Sequence, residues 1–383
     1  MHKNTTTKEL TPIITYFTLQ YQGQLFDSIE YAVSEKLSDK LKELVRIWDL
    51  LDFSSFLRSP SSQLRGRPEH DRRSIARAFV AKSFYNLPTT EALVELLNHH
   101  RTLRMLCGFE NRRQVPSPAT FSRALAEFTK LSLCDKIHQL LIDQHVGEKL
   151  VMHISRDSTE VIAREKAVKT EKSKKTKKSN IRRGRPRKGE IRPDPEPTVL
   201  EKQSKEKDPN ISINQLPKVC NWGCKKDSGG HIHTWKGYKA HIDWGDDEVP
   251  VTVVTTSASV HDSQVAIPLS QLTSKRCLHQ YELMDSAYDA DAIRTFIKDN
   301  DHVPIIDANK RNGTVPAEKL MDPATKERYN TRSTAERGNS LLKDGFGLRN
   351  LRVRGHAKAH THIMFSIITL FVSRIIRPLP EKT

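Results

Sequence analysis

Near residue 148 the period of the apolar residues changes, and the change divides the chain into two kinds of structure. Before it, apolar side chains recur every three or four residues, as on a helix with one buried face. Residues 24–58, with "LFDSIEYAVSEKLSDKLKELVRIWDLLDF", and "DRRSIARAFVAKSFYNL" (71–87) both read this way. Pro88 stops the second helix, because its ring leaves no room for the preceding turn. Thr89 or Thr90 can cap a third, with Leu93, Leu96 and Leu97 on one face. Ser117 and Pro118 form a helix start, followed by a stripe of Phe121, Leu125 and Phe128. These segments predict an all-helical N-terminal domain over 1–140. Its 90–98 and 118–129 helices make either a helix-turn-helix, with Thr120, Ser122 and Arg123 facing DNA, or part of a plain bundle.

After residue 148 the pattern is that of strands. "KLVMHISRD" is an apolar run ending in Asp157, and "YELMD" (281–285) is another, ending in Asp285. Between them, 237–245 and 249–260 alternate like two antiparallel strands joined at Asp246–Glu248. A helix (290–299), a strand (302–307) and a helix around Glu336 follow. The expectation is an α/β fold: a mixed-sheet domain over 141–165 and 230–383, interrupted by an insert at 166–229.

The insert is where charge concentrates. Residues 166–192 hold 13 Lys/Arg against Glu171 and Glu190, and almost nothing apolar, which predicts a largely disordered segment. Within it "RRGRPRKG" (182–189) places Arg183, Gly184, Arg185 and Pro186 in the pattern of an AT-hook. Extended arginines suit the negative potential of a narrow A·T minor groove, and glycine lets the backbone approach its floor. A second Arg-Gly-Arg-Pro at 65–68 is followed by acids that repel phosphate, and reads as a helix lead-in. The net charge of +17 points to a polyanion, here DNA. No export signal is visible in 1–15, and the apolar run 363–376 is too short and interrupted to span a bilayer, so it reads as a buried C-terminal helix. Five cysteines suit reduced thiols in a cytoplasm. Cys220, Cys224, His231 and His233 have zinc-ligand chemistry, but their spacing matches no common finger.

The most informative stretch is "YNTRSTAERGNSLLKD" (329–344). At about 100° per residue, Tyr329, Arg332, Glu336 and Lys343 fall on one narrow helical stripe. Thr334, Gly338, Leu341 and Leu342 lie opposite and suit packing on a sheet. Two acids at strand ends and one on a cationic helix can converge in the crevice of an open sheet. Such a set suits hard divalent ions, Mg²⁺ or Mn²⁺, acting in phosphoryl transfer. Unrelated surface acids remain the alternative on spacing alone.

The same four residues resemble the Tyr-Arg-Glu-Lys signature of bacterial insertion-sequence DDE transposases. "RDSTEV" around Asp157, "MDSAYDA" around Asp285 with Tyr288, "GYKAH" and "SASVHDSQ" are also similar to stretches of that family, as is the helical segment 65–128. The resemblance implies an RNase H-like catalytic domain in which Asp157, Asp285 and Glu336 hold the metals. Tyr329, Arg332 and Lys343 would position DNA. It further implies cleavage at terminal inverted repeats, attack of the freed 3′-OH on target DNA, a homodimer on DNA, no membrane, and a place at the bacterial nucleoid. An RNase H-like nuclease without strand transfer, or an idle domesticated DNA-binding protein, are the competing readings. The stretch from Asp285 to Glu336 has room for a helix, a strand and a loop. It is too short for the β-rich insertion that supports a hairpin intermediate in some relatives.

Overall fold

A computed structural model describes residues 37–58, 69–147, 149–168, 196–226, 229–309 and 320–376. The AT-hook-like residues 183–186, the second Arg-Gly-Arg-Pro and the start of the 24–58 helix lie outside these.

Among the described residues six helices come first: α1 (Asp39–Leu50), α2 (Arg72–Phe84), α3 (Thr90–His99), α4 (Arg101–Cys107), α5 (Pro118–Lys130) and α6 (Leu133–His145). The Thr89 and Ser117 side chains cap α3 and α5 by accepting from Ala92 and Thr120 backbone N–H groups. The expected two-helix reader is not a simple pair, because α4 and a short 3₁₀ turn separate α3 from α5. Ser122 and Arg123 are nonetheless exposed.

The second half is a six-stranded sheet. Its strands are β1 (Leu150–Ile162), β2 (Asn221–Lys226), β3 (Ile232–Trp244), β4 (Pro250–Ser257), β5 (Leu278–Met284) and β6 (Val303–Ile306). The order is β2-β3-β1-β5-β6, with β4 also on β3; β1–β5 and β5–β6 are parallel, the rest antiparallel. Helix α9 (Ser263–Ser274) covers one face, where Thr273 Oγ1 donates to Asp243 at 2.6 Å. The other face takes α12 (Ser333–Asp344). There Gly338 lies against the Trp244 ring: a Cβ on it would stand 2.6 Å from ring carbons. The α/β class and its helical lead therefore stand, as an RNase H-like mixed sheet behind helices.

The insert departs from expectation. Residues 196–226 fold into α7 (Val199–Lys205), α8 (Pro209–Gln215) and β2. Thr198 and Glu201 form a reciprocal cap on α7, Leu216 joins Val254 and Leu269 in a small core, and β2 extends the sheet along β3. The charge count of the preceding lysine run had obscured these few apolar anchors. The sheet region thus begins before residue 230.

The helical region also shares its core with the end of the chain. Helix α13 (His356–Ile376) is buried among α1, α2, α5 and α6, with the Phe365 ring 5.2 Å from Phe79 and 6.2 Å from Phe128. Among the described residues it alone is long and apolar enough to cross a membrane, and most of it is enclosed by protein. The N-terminal helices therefore do not own a separate hydrophobic core. One cluster runs from Leu41 through α13 into β3.

Candidate active site

Register sets the two aspartates side by side. Ser155 on β1 pairs with Leu283 on the parallel strand β5. Two positions further along β1 lies Asp157, and two positions on from Leu283, just past the end of β5, lies Asp285, near enough to act on the Asp157 carboxyl. Asp157 is not at the end of its strand, as the apolar run had suggested. Strand β1 continues to Ile162 because β3 pairs with it from Ser155 onward, while β5 stops at Met284. Asp285 turns out of the sheet and accepts from the Ala287 N–H at 2.9 Å, capping a 3₁₀ turn that ends in Tyr288.

On the opposite face of β1 the neighbouring Arg156, fully buried, ties three strands together. It makes two 2.7 Å bonds to Asp243 on β3 and an ion pair of 2.9 Å to Glu282 on β5. Burial disfavours the Glu282 carboxylate, yet Arg156 and the donors around it hold its pKa down to about 2. The strand that carries Asp157 is thereby clamped from below.

Helix α12 carries the third predicted acid, Glu336, which is exposed and forms no close ligand cluster with the aspartates among the described residues. The expected single stripe is broken into α11 (Pro323–Asn330) and α12, with a tightened turn at Thr331–Arg332. Backbone N–H groups of Arg332, Thr334 and Ala335 each reach back only one short turn there, and the Thr331 hydroxyl donates to the Arg328 carbonyl at 2.6 Å. Arg332 pairs with Glu336 and its guanidinium lies 5.7 Å from the Tyr329 ring centre. Burial works against the Arg332 charge, but Tyr329, Glu336, Asp157 and Asp285 together raise its pKa. Arg332 therefore pairs with Glu336 and lies in the field of both aspartates. Lys343 reaches Glu160 instead, at 3.5 Å. Of the opposite face predicted from the stripe, Gly338 and Leu342 are buried, joined by Ala335 and Asn339.

Burial dominates the electrostatics of the aspartates. It pushes the Asp157 carboxyl up to about 6 and Asp285 upward as well, each further raised by a nearby acid. Tyr288 is 1% exposed, and its hydroxyl, without a hydrogen-bond partner among the described residues, lies in the field of Asp262, Asp157 and Asp285. Two adjacent, poorly solvated carboxylates and an orphaned hydroxyl form an oxygen-only set that suits a hard divalent ion and its waters.

Several members were not legible as site residues. Asn339 donates to Asp157 Oδ2 at 2.9 Å; it stands one helical turn after Glu336, but an asparagine there carries no distinctive signal. Asp262 accepts from Lys239 at 2.9 Å and contributes to the Asp285 field. The zinc-type set does not assemble among the described residues. Cys220 is buried against the Glu165 carbonyl, Cys224 is exposed, and His233 pairs with Glu160 at 3.0 Å. A different trio, His279, Glu282 and His302, has ligand atoms within 4.8 Å of one another. Arg156 already neutralises its carboxylate, which argues for a structural network rather than a metal centre.

Two family models match the chain. The Transposase DDE domain matches residues 157–372, beginning at the first aspartate, and the Transposase domain (DUF772) matches residues 30–127. Searches of curated proteins and of solved structures return no match. The first family model alone takes in more than half of the chain and all three acids, and with the helical match beside it, the chain belongs to the DDE transposases of insertion sequences.

Proposed function

We propose that this transposase performs metal-dependent cleavage at the ends of its element and joins the freed 3′-OH to target DNA. The observation that supports this best is the β1–β5 register that brings Asp157 and Asp285 near one another, with the Arg332–Glu336 pair close enough to act on both. Asp157, Asp285 and, once released from Arg332, Glu336 would hold Mg²⁺ or Mn²⁺. When bound, such ions activate an attacking oxygen and stabilise the leaving one. Asn339 keeps the Asp157 carboxylate turned toward the site. Arg332 exchanges Glu336 for a DNA phosphate, which frees the acid only when substrate is present. Tyr329 braces the guanidinium from the side, and Lys343 adds a phosphate contact. Two element ends must be held at once, so the working form is a homodimer on DNA.

The test is a labelled duplex carrying the inverted repeat that borders the protein's own coding sequence, incubated with full-length protein, Mg²⁺ and a plasmid. Cut ends and plasmid-joined product are expected, both lost in Asp157→Ala, Asp285→Ala and Glu336→Ala. Cleavage without joining would favour a nuclease. Binding without either reaction would favour a DNA-binding protein whose acids are idle.

A further inference from the structure

The β2–β3 hairpin continues the sheet alongside the part of β1 beyond Asp157, and Glu160 is tied to it there. One Glu160 oxygen meets His233 of the hairpin at 3.0 Å and the other meets Lys343 of α12 at 3.5 Å. Beneath lies a cavity of about 260 Å³, lined by Ser158, Glu160, Lys225, His233, Trp235 and Lys343 among others. It is slightly smaller than ordinary ligand sites, with room for a group the size of a phosphate and not for a duplex. Its wall is preorganised. The Trp235 indole lies flat across Gly223, where a Cβ would come within 2.5 Å of the ring, and His233 stacks beside it at 6.0 Å.

The cations around this cavity are not equivalent. Lys239 is engaged with Asp262 and the Val260 carbonyl, and Lys343 with Glu160. Lys225 is exposed and makes no hydrogen bond or ion pair among the described residues. It is also the cation acting most strongly on Asp157, and it acts on Asp285. An ammonium with no partner among the described residues, in the lining of a cleft with an aromatic wall and acting on both Asp157 and Asp285, is placed for an anion that approaches the acids.

We propose that the β2–β3 hairpin is a clamp for the DNA strand, with the Lys225 ammonium holding the phosphate next to the one positioned for reaction. This rests on the transposase reading above and adds to it a residue from the insert, so the C-terminal part of that insert becomes an element of the site. Lys225 is a point charge on a flexible stem, suited to a phosphate and blind to base identity.

The test separates the clamp from the reaction. Binding of the repeat-bearing duplex is measured without metal over a range of salt, for parent, Lys225→Gln and Lys225→Arg. Losing one phosphate contact should flatten the slope of log K against log salt by about 0.9, with Lys225→Arg restoring it. In Mg²⁺ the Gln variant should need more DNA for half-maximal cleavage, with a smaller change at saturation. The side chain is exposed, so a single cooperative melt close to that of the parent is expected and excludes misfolding. A parent that binds and cleaves, beside a Gln variant with the same slope and the same DNA dependence, would overturn the clamp and leave the transposase reading intact. A parent that neither binds nor cleaves the duplex would remove both.

Discussion

At neutral pH the carboxyl of Asp157 has to ionise where water barely reaches it. Its pKa stands at about 6 against 3.8 for the free group, chiefly because of burial. Between those values the folded chain keeps a proton that the unfolded chain has lost, so this group makes stability fall as pH rises through the window. The shift of roughly two units corresponds to about 3 kcal/mol above pH 6. Asp157→Asn removes the cost, so without metal it should melt higher than the parent at about pH 8 and no higher at about pH 3. Mg²⁺ should raise the melt of the parent at pH 8 and leave that of the variant nearly unchanged, because only the parent offers the full donor set. Equal melts for the two proteins at pH 8 would show that the carboxyl is not strained. The two aspartates could be read from the sequence because each follows an apolar run. Asn339 and Lys225 could not, since what defines them is a hydrogen bond to Asp157 in one case and a field acting on it in the other, both from remote parts of the chain.

Helix α12 is held by shape as much as by charge. Gly338 lets its backbone rest on the Trp244 ring, and Arg337 reaches Glu248 in the β3–β4 turn at 2.7 Å. Gly338→Ala gains helix propensity, yet its methyl has nowhere to go, because it would stand 2.6 Å from a fully buried indole. The overpacking should destabilise the protein by roughly 1–3 kcal/mol in a denaturant titration. It should also lower cleavage more than it weakens DNA binding, because Glu336 and Asn339 move with the helix while the hairpin does not. A variant as stable and active as the parent would mean that the helix docks elsewhere. The glycine's place opposite the charged stripe was legible from helical periodicity. The break at Thr331 was not, because a hydroxyl competing for a backbone carbonyl leaves no mark on that period. The length of β1 was hidden for a similar reason: its continuation depends on pairing with β3, a strand beyond the whole insert, and not on its own apolar run.

Across the whole molecule, the helical region and the catalytic sheet are joined through α13. Its first turn bonds to β4, with His356 on the Thr255 carbonyl at 2.8 Å and His360 bridging Thr255 Oγ1 and Asp135 at 2.9 Å each. Its middle fills the core of the helices, and near its end Arg374 pairs with Glu248, the same acid that holds Arg337. The chain order thus conceals that the last helix completes the first region. A helix buried on all sides shows little periodicity and reads only as an apolar run. Two consequences separate this arrangement from two independent domains. Residues 37–147 expressed alone should lack a cooperative melt, since the fragment leaves the surface that meets Phe365 and Phe371 open to water. Phe365→Ala in the full chain should cost about 3–5 kcal/mol and shift a single transition, reported alike by helix-sensitive circular dichroism and, in a Trp48→Phe background, by fluorescence of the tryptophans left in the sheet. Two transitions, with only the helical one displaced, would instead mean that the halves fold separately and that α13 merely lies between them.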